Sequence, residues 1–241
     1  IAIKWNKDNN SKIKITSNSK TLWENINKEL NNKCGSEWCW INKTYINLEH
    51  KDFFKPLKPN KWNINPDEWL DNYNIENVME QYEDKHKDFI FLGPVPIDFD
   101  LKDNIGKCLV DEMCKIKISD LLQKHKQKIG IVFNLDPHNK GGSHWIALYC
   151  DIKKSDIYYF DSYGIDPPNE IKILINRFFD ELYKVNNKCI IEINSKRHQF
   201  KNSECGVYCL HFLIQMLTNT ISFDTFCSSK MPDDMIFNKR T

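Results

Sequence analysis

Residues 206–217 (GVYCLHFLIQML) are apolar on nearly every side, and this segment constrains the fold more than any other. A helix without a polar face must be enclosed by other elements. The chain has 241 residues, of which 41% are hydrophobic and 12% aromatic, so it can build that enclosure. The sequence therefore predicts a sizeable domain with this helix in its core, and it excludes a wholly disordered chain.

The segments before this helix show the periodicities of strands and of amphipathic helices. Strands are predicted at 128–134 and 189–193, and a hairpin at 144–151 and 156–161. Helices are predicted at 119–126 and 171–185, and another is expected to begin at Asn65-Pro66-Asp67, where Asn can cap and Pro fits the first turn. The fold class is α+β: a central, mainly antiparallel sheet flanked by helices, with the apolar helix buried inside.

The N-terminal segment 1–64 differs in composition from the rest of the chain. It holds 12 Lys, 12 Asn and five Trp, with only 6 acidic side chains. Repeated tryptophans favour a packed segment over a disordered tail, and Thr21–Leu30 has a helical apolar face. We predict an N-terminal extension or small subdomain at 1–64, a proline-marked linker near 55–66, and the main domain at 65–241. The excess of lysine indicates either an ordinary solvated surface or weak binding of a polyanion or acidic partner.

Several classes of protein and of site are disfavoured. No run approaches the roughly 18 apolar residues of a membrane span, so we predict no membrane-spanning helix and no membrane partner. The N-terminus has no apolar signal segment, and its missing initiator Met suggests a start inside a longer gene product.

Nine cysteines, an odd number, make a disulfide framework unexpected and favour small buried side chains in a reducing compartment. Their spacing fits no zinc motif, so no metal or cofactor is predicted.

Four polar residues are predicted to stand at the ends of these elements. His144 opens the hairpin, Asp161 closes it, Gln199 lies in the following loop, and Cys205 begins the buried helix. A helix N-terminus favours a thiolate over a thiol. An antiparallel hairpin brings its first and last residues together, so Asp161 can orient the imidazole of His144.

These positions predict nucleophilic catalysis: Cys205 as nucleophile, His144 as general base, and Gln199 as an amide donor to an oxyanion. Taken singly, each residue has a plainer reading as a packed cysteine, a strand-edge histidine, a turn-forming aspartate or a loop glutamine. Their joint occurrence at element ends favours catalysis.

Three segments carry a resemblance to a known superfamily: GGSHWIALYCD, IYYFDSYG and QFKNSECGVYCLHFL. They resemble the cysteine peptidases that process SUMO and related modifiers, and the maturation proteases of adenovirus and of large nucleocytoplasmic DNA viruses. The acid stands at i+17 from the histidine, and the cysteine stands at i+6 from the glutamine, as in that superfamily. With WLDNYNIENVMEQY at 69–82, the resemblance covers roughly 66–241 and leaves segment 1–64 outside.

The resemblance implies an adenain-like, papain-like peptidase fold and the same four catalytic roles. It also implies that Trp69 and Trp145 bind substrate by clamping a Gly-Gly segment in a narrow tunnel. Glu204, before the nucleophile, departs from the aspartate usual in SUMO proteases.

We expect a thiol endopeptidase that cuts after Gly-Gly-like sites in viral polyprotein or virion maturation, located in the host cytoplasm or the virion. The alternatives are a deubiquitinating or deSUMOylating isopeptidase that uses the same site, and an acyltransferase of the same superfamily. Protein substrates are expected in the first two cases, either a viral polyprotein or a ubiquitin-like modifier.

Overall fold

The computed structural model describes residues 1–30, 37–44 and 60–240. The chain divides into two compact units, Ile1–Leu57 and Lys58–Thr241. The boundary predicted at residue 64 falls later than this division, because Trp62 is buried in a core of the larger unit. Of the predicted linker, 55–59 lie outside the described residues, and Asn60–Asn63 form a 3-10 helix. Within the described ranges, no helix is long and apolar enough to cross a membrane.

The smaller unit packs around a tryptophan-containing core. Its helices are α1 (Ala2–Asn9), α2 (Ser19–Leu30) and α3 (Glu37–Thr44). The helix predicted at Thr21–Leu30 is α2. Trp5, Leu30 and Trp40 are buried together, so the aromatic residues of this Lys- and Asn-rich segment form a core of their own.

The larger unit is built on a mixed six-stranded sheet. Its strands are β1 (Phe89–Phe91), β2 (Val95–Pro96), β3 (Lys128–Asn134), β4 (Trp145–Asp151), β5 (Asp156–Phe160) and β6 (Ile190–Ile193). The order is β1-β3-β4-β5-β6, with β2 also beside β3. The central ladders β3–β4 and β4–β5 are antiparallel, as the predicted hairpin requires.

The outer ladders are parallel, whereas the prediction from the sequence was a mainly antiparallel sheet with no named parallel pairs. Both β1 and β2 run parallel to β3, and β6 runs parallel to β5. The reason is connectivity, since helices intervene between β2 and β3 and between β5 and β6 and allow the chain to return in the same direction.

Helices cover both faces of this sheet. They are α4 (Asn72–Lys85), α5 (Asp111–Lys115), α6 (Ile118–Gln123), α7 (Asn169–Asn186), α8 (Cys205–Leu217), α9 (Phe223–Ser228) and α10 (Asp233–Phe237), followed by a 3-10 helix at Asn238–Arg240. Successive residues of a strand point to opposite faces. Ile131 accordingly joins a core with α5, α6 and α7, whereas Val132 joins a core with α4, α8, α9 and α10. Helix α8 is thus enclosed, which confirms the predicted buried helix.

Two local predictions were wrong. Helix α4 begins at Asn72 rather than near Asn65, because the Asp71 carboxylate accepts the Asn74 amide and the Asn74 side chain accepts the Asp71 amide, forming a capping box. A disulfide joins Cys108 to Cys114, and Cys39 is also disulfide-bonded. Spacing did not reveal the first pair, because a bend at 109–110 and the first residues of α5 bring the two Cα atoms to 6.3 Å.

The enclosure of α8 predicts a large difference between two leucine truncations. Leu213 is fully buried on α8, whereas Leu101 is 52% exposed. We expect Leu213→Ala to lower the free energy of unfolding by about 2–5 kcal/mol, since it removes core contacts and leaves a cavity. Leu101→Ala is the matched control and should change it by less than about 0.5 kcal/mol. Urea denaturation measures both, and equal losses would contradict the enclosure.

Candidate active site

The two ends of the β4–β5 hairpin bring an imidazole and a carboxylate together. His144 directly precedes β4 and Asp161 directly follows β5, as predicted. Nε2 of His144 lies 2.7 Å from Oδ1 of Asp161, and both side chains are buried. Because Nε2 is engaged by the carboxylate, Nδ1 is the ring nitrogen left for a reacting group.

Cys205 is the first residue of α8, and its side chain interacts with this imidazole. Burial by itself lowers the pKa of His144. The hydrogen bond to Asp161 and the interaction with Cys205, together with the charges of both groups, outweigh burial and raise that pKa to about 9. At that pKa His144 is protonated at neutral pH, which places an imidazolium beside the sulfur atom at the start of α8.

Neighbouring residues fix the orientation of the His144–Asp161 pair. The Tyr163 amide donates to Oδ1 of Asp161 at 2.8 Å, and its ring stacks on His144 with centroids 4.6 Å apart. The Asn194 side chain donates to the Asp161 carbonyl at 2.7 Å. These contacts satisfy polar groups that burial would otherwise leave without partners.

Gln199 is fully buried in the loop that leads to α8. Its Oε1 accepts the Ser162 hydroxyl at 2.6 Å, and its Nε2 donates to the Lys201 carbonyl at 2.7 Å. A side-chain amide has two N–H donors. The Lys201 contact uses one of these two donors.

The two predicted substrate tryptophans occupy different environments. Trp145 is buried, and its Nε1 donates to the Leu70 carbonyl at 3.0 Å. Trp69, next to Leu70 in the chain, is 43% exposed. Gly206 packs tightly here, since a Cβ at that position would lie 2.8 Å from Leu70 and 3.3 Å from the Trp145 ring. The segment 69–70 and Trp145 thus lie beside the residue that follows Cys205.

Sequence reasoning missed several residues that hold these groups. Ser162 and Tyr163 directly follow Asp161, so their proximity in sequence could have indicated them. Asn194 and Arg240 lie far along the chain and carry no local signal. Arg240 forms a buried ion pair with Glu204, with Nε 2.8 Å from Oε2. The described part of the chain contains no cluster of three His, Cys, Asp or Glu side chains that could hold a metal ion.

A thiol at a helix N-terminus, beside an imidazole that a buried carboxylate holds, is the arrangement of a thiol protease. The sequence model of the adenovirus endoprotease family matches residues 114–241, more than half of the chain. The chain therefore belongs to the adenovirus endoprotease family and is a cysteine protease, as predicted.

Relatives from two large DNA viruses support this assignment. The chain is 31% identical over 230 residues to a protein of Acanthamoeba polyphaga mimivirus named as a putative thiol protease, covering 91% of this chain and 72% of the relative. It is 26% identical over 251 residues to the SUMO-1 cysteine protease of African swine fever virus (isolate Pig/Kenya/KEN-50/1950), covering 94% and 92%.

A solved structure shares the fold. The crystal structure of the African swine fever virus protease superposes with a TM-score of 0.67 at 20% identity, covering 95% of this chain and 92% of the other. This likeness confirms the predicted fold class. The relatives cover more of the chain than the predicted 66–241, so the similarity extends well into segment 1–64.

The raised pKa of His144 predicts the effect of neutralising its carboxylate partner. We expect Asp161→Asn to lower the imidazole midpoint from about 9 by about 1–3 units, because an adjacent negative charge is lost. NMR of the histidine rings measures the midpoint, with the His144 signal assigned from its absence in His144→Gln. Asp166→Asn, at an exposed acid, is the control and should leave the midpoint in place. An unchanged midpoint in Asp161→Asn would contradict the pairing.

Proposed function

We propose that the protein is a cysteine endopeptidase in which Cys205 is the nucleophile, His144 the general base and acid, and Asp161 the orienting acid. The observation that carries the proposal is the 2.7 Å contact between His144 and Asp161, with Cys205 against the same imidazole. Gln199 and the backbone N–H of Cys205 act as donors to the oxyanion.

The reaction follows from these positions. The Cys205 thiolate attacks the scissile carbonyl, and the developing oxyanion receives hydrogen bonds from the Gln199 amide. The imidazolium of His144 gives its proton to the leaving amine, which leaves an acyl-enzyme thioester. Neutral His144 then takes a proton from water, whose oxygen attacks the thioester and releases the acid product and the thiol. Asp161 keeps the ring in position throughout.

The substrate proposed is a polypeptide with Gly-Gly before the scissile bond. The Leu70 carbonyl accepts the Trp145 indole N–H, so the neighbouring, partly exposed Trp69 and Trp145 both lie beside Gly206, the residue that follows Cys205. A passage bounded by flat indole rings there admits residues without a side chain and excludes larger ones.

The viral relatives favour a role in polyprotein or virion maturation, in the host cytoplasm or in the particle.

In the smaller unit, lysines such as Lys12, Lys14 and Lys20 are exposed. We propose that they bind a polyanion or an acidic partner weakly, and an affinity for heparin that does not fall with salt would contradict this.

A modifier-deconjugating activity is the second candidate, because one relative is named a SUMO-1 cysteine protease. The same site would hydrolyse the bond that follows the modifier's C-terminal glycines. Vinyl sulfone probes built on SUMO and on ubiquitin distinguish the two functions. Labelling of Cys205 by either probe favours deconjugation, whereas cleavage of short Gly-Gly peptides without labelling favours maturation.

If Cys205 is the nucleophile, the peptidase activity depends completely on its sulfur atom. Cys205→Ala should lower kcat/KM on a Gly-Gly-X peptide by at least about 10⁵, because no covalent intermediate can form. Cys227→Ala, at a partly buried cysteine of α9, is the matched control and should retain activity. Turnover by Cys205→Ala above background in a mass-spectrometric assay would contradict the role.

The proposed role of the Trp69 and Trp145 rings predicts that a change at Trp69 alters substrate selectivity and leaves the catalytic steps unchanged. Trp69→Ala should reduce the preference for Gly-Gly over Ala-Ala peptides by about 10-fold or more, since opening the passage admits a Cβ. Tyr73→Ala, at a 74% exposed aromatic residue on α4, is the control and should leave the preference unchanged. The ratio of kcat/KM for the two peptides measures the preference. An unchanged preference in Trp69→Ala would show that Trp69 does not restrict the substrate at this position.

A further inference from the structure

Arg240 connects three separate segments around the start of α8. Its Nε contacts both carboxylate oxygens of Glu204, at 3.1 and 2.8 Å. Nη1 donates to the Glu68 carbonyl at 2.6 Å, and Nη2 donates to the Ser203 carbonyl at 3.1 Å. The guanidinium also lies 5.0 Å from the centroid of the Trp62 ring. One side chain thereby joins the turn before Cys205 to the residue before Trp69.

Glu204 is an unusual neighbour for a catalytic thiol. It is the N-cap residue of α8, yet its side chain makes no cap hydrogen bond and is 1% exposed. Its carboxylate instead accepts from Arg240 and from the Ser203 hydroxyl at 2.9 Å. A buried negative charge one residue from Cys205 would oppose formation of a thiolate unless a cation compensates it.

We propose that Arg240 is a positioning residue that compensates the Glu204 charge beside Cys205 and anchors the segment leading to Trp69. This inference rests on the proposed role of Cys205 as nucleophile. The fixed planar fork of a guanidinium suits the task, because it donates to a carboxylate and to two carbonyls at once.

Other ionisable groups also lie around the thiol, and the variants of this pair leave them unmutated. Cys205 is faced by His144 before β4, by Asp161 and Tyr163 after β5, and by Cys209 on its own helix. In the described residues, Arg240 pairs with one carboxylate, that of Glu204. A change in the pH dependence of the thiol can therefore be assigned to the Glu204–Arg240 pair.

The test measures the rate at which iodoacetamide alkylates Cys205 as a function of pH, in Arg240→Met, Glu204→Gln and the double variant. Arg240→Met should move the midpoint of this profile up by about one unit and slow alkylation at pH 6 about 10-fold. The double variant should return close to the wild-type profile, because it removes both charges. Arg177→Met, which breaks an ion pair with Asp100, is the control and should leave the profile unchanged.

A purely structural role gives a different result. If Arg240 acts only by holding the turn, the double variant will be as slow as Arg240→Met, and the charge compensation is overturned. An unchanged profile in Arg240→Met overturns it as well. Should Arg240→Met fail to fold by circular dichroism, Glu204→Gln decides. It leaves the Arg240 cation without its carboxylate and should move the midpoint down, so an unchanged or raised midpoint contradicts the proposal.

Arg240→Lys separates the anchoring from the charge. Lysine keeps the positive charge but lacks the fork, so the alkylation midpoint should stay while KM for a Gly-Gly peptide rises several-fold with kcat nearly constant. An unchanged KM overturns the anchoring. Alkylation needs no turnover, so the result on charge compensation is distinguishable from failure of the proposed protease reaction, which Cys205→Ala tests separately.

Discussion

The packing of α8 against the sheet is the constraint on which the rest of the structure depends. The helix has no polar face to give to solvent, so β3, β4 and β5 cover one side while α4, α9 and α10 cover the others. Enclosure fixes the direction of the helix, and its N-terminus emerges where β4 begins and β5 ends. The nucleophile candidate and its imidazole therefore meet through the same burial that stabilises the domain.

Burial of the charged groups then requires a dense set of partners. His144 and Asp161 are both removed from solvent, and such a pair is favourable only when its remaining polar atoms are satisfied. Tyr163 and Asn194 supply those contacts on one side of the site. Glu204, the residue before Cys205, forms a second buried pair with Arg240. In the proposed mechanism both pairs act on the same thiol, that of Cys205.

Much of this arrangement was predictable from the sequence. The hairpin, the apolar helix and the four polar residues at element ends have local patterns, and the spacing of His144 and Asp161 follows from the antiparallel register. The parallel pairing of β6 and the late start of α4 were not predictable in this way. Parallel pairing depends on a crossover helix, and the start at Asn72 depends on an Asp71–Asn74 capping box that competed with the signal at Asn65-Pro66. The contacts of Arg240 could not be predicted from the sequence, because its partners Glu204 and Glu68 belong to distant parts of the chain.

Selective alkylation tests whether His144 activates the Cys205 thiol. At pH 6, with the disulfides left intact, one equivalent of iodoacetamide followed by peptide mass mapping should label Cys205 ahead of the other free cysteines. Burial raises the pKa of the Cys189 thiol and raises that of Cys227 to about 12, so both stay protonated. His144→Ala should abolish this preference. Equal labelling of Cys189 or Cys227, or an undiminished rate at Cys205 in His144→Ala, would contradict it.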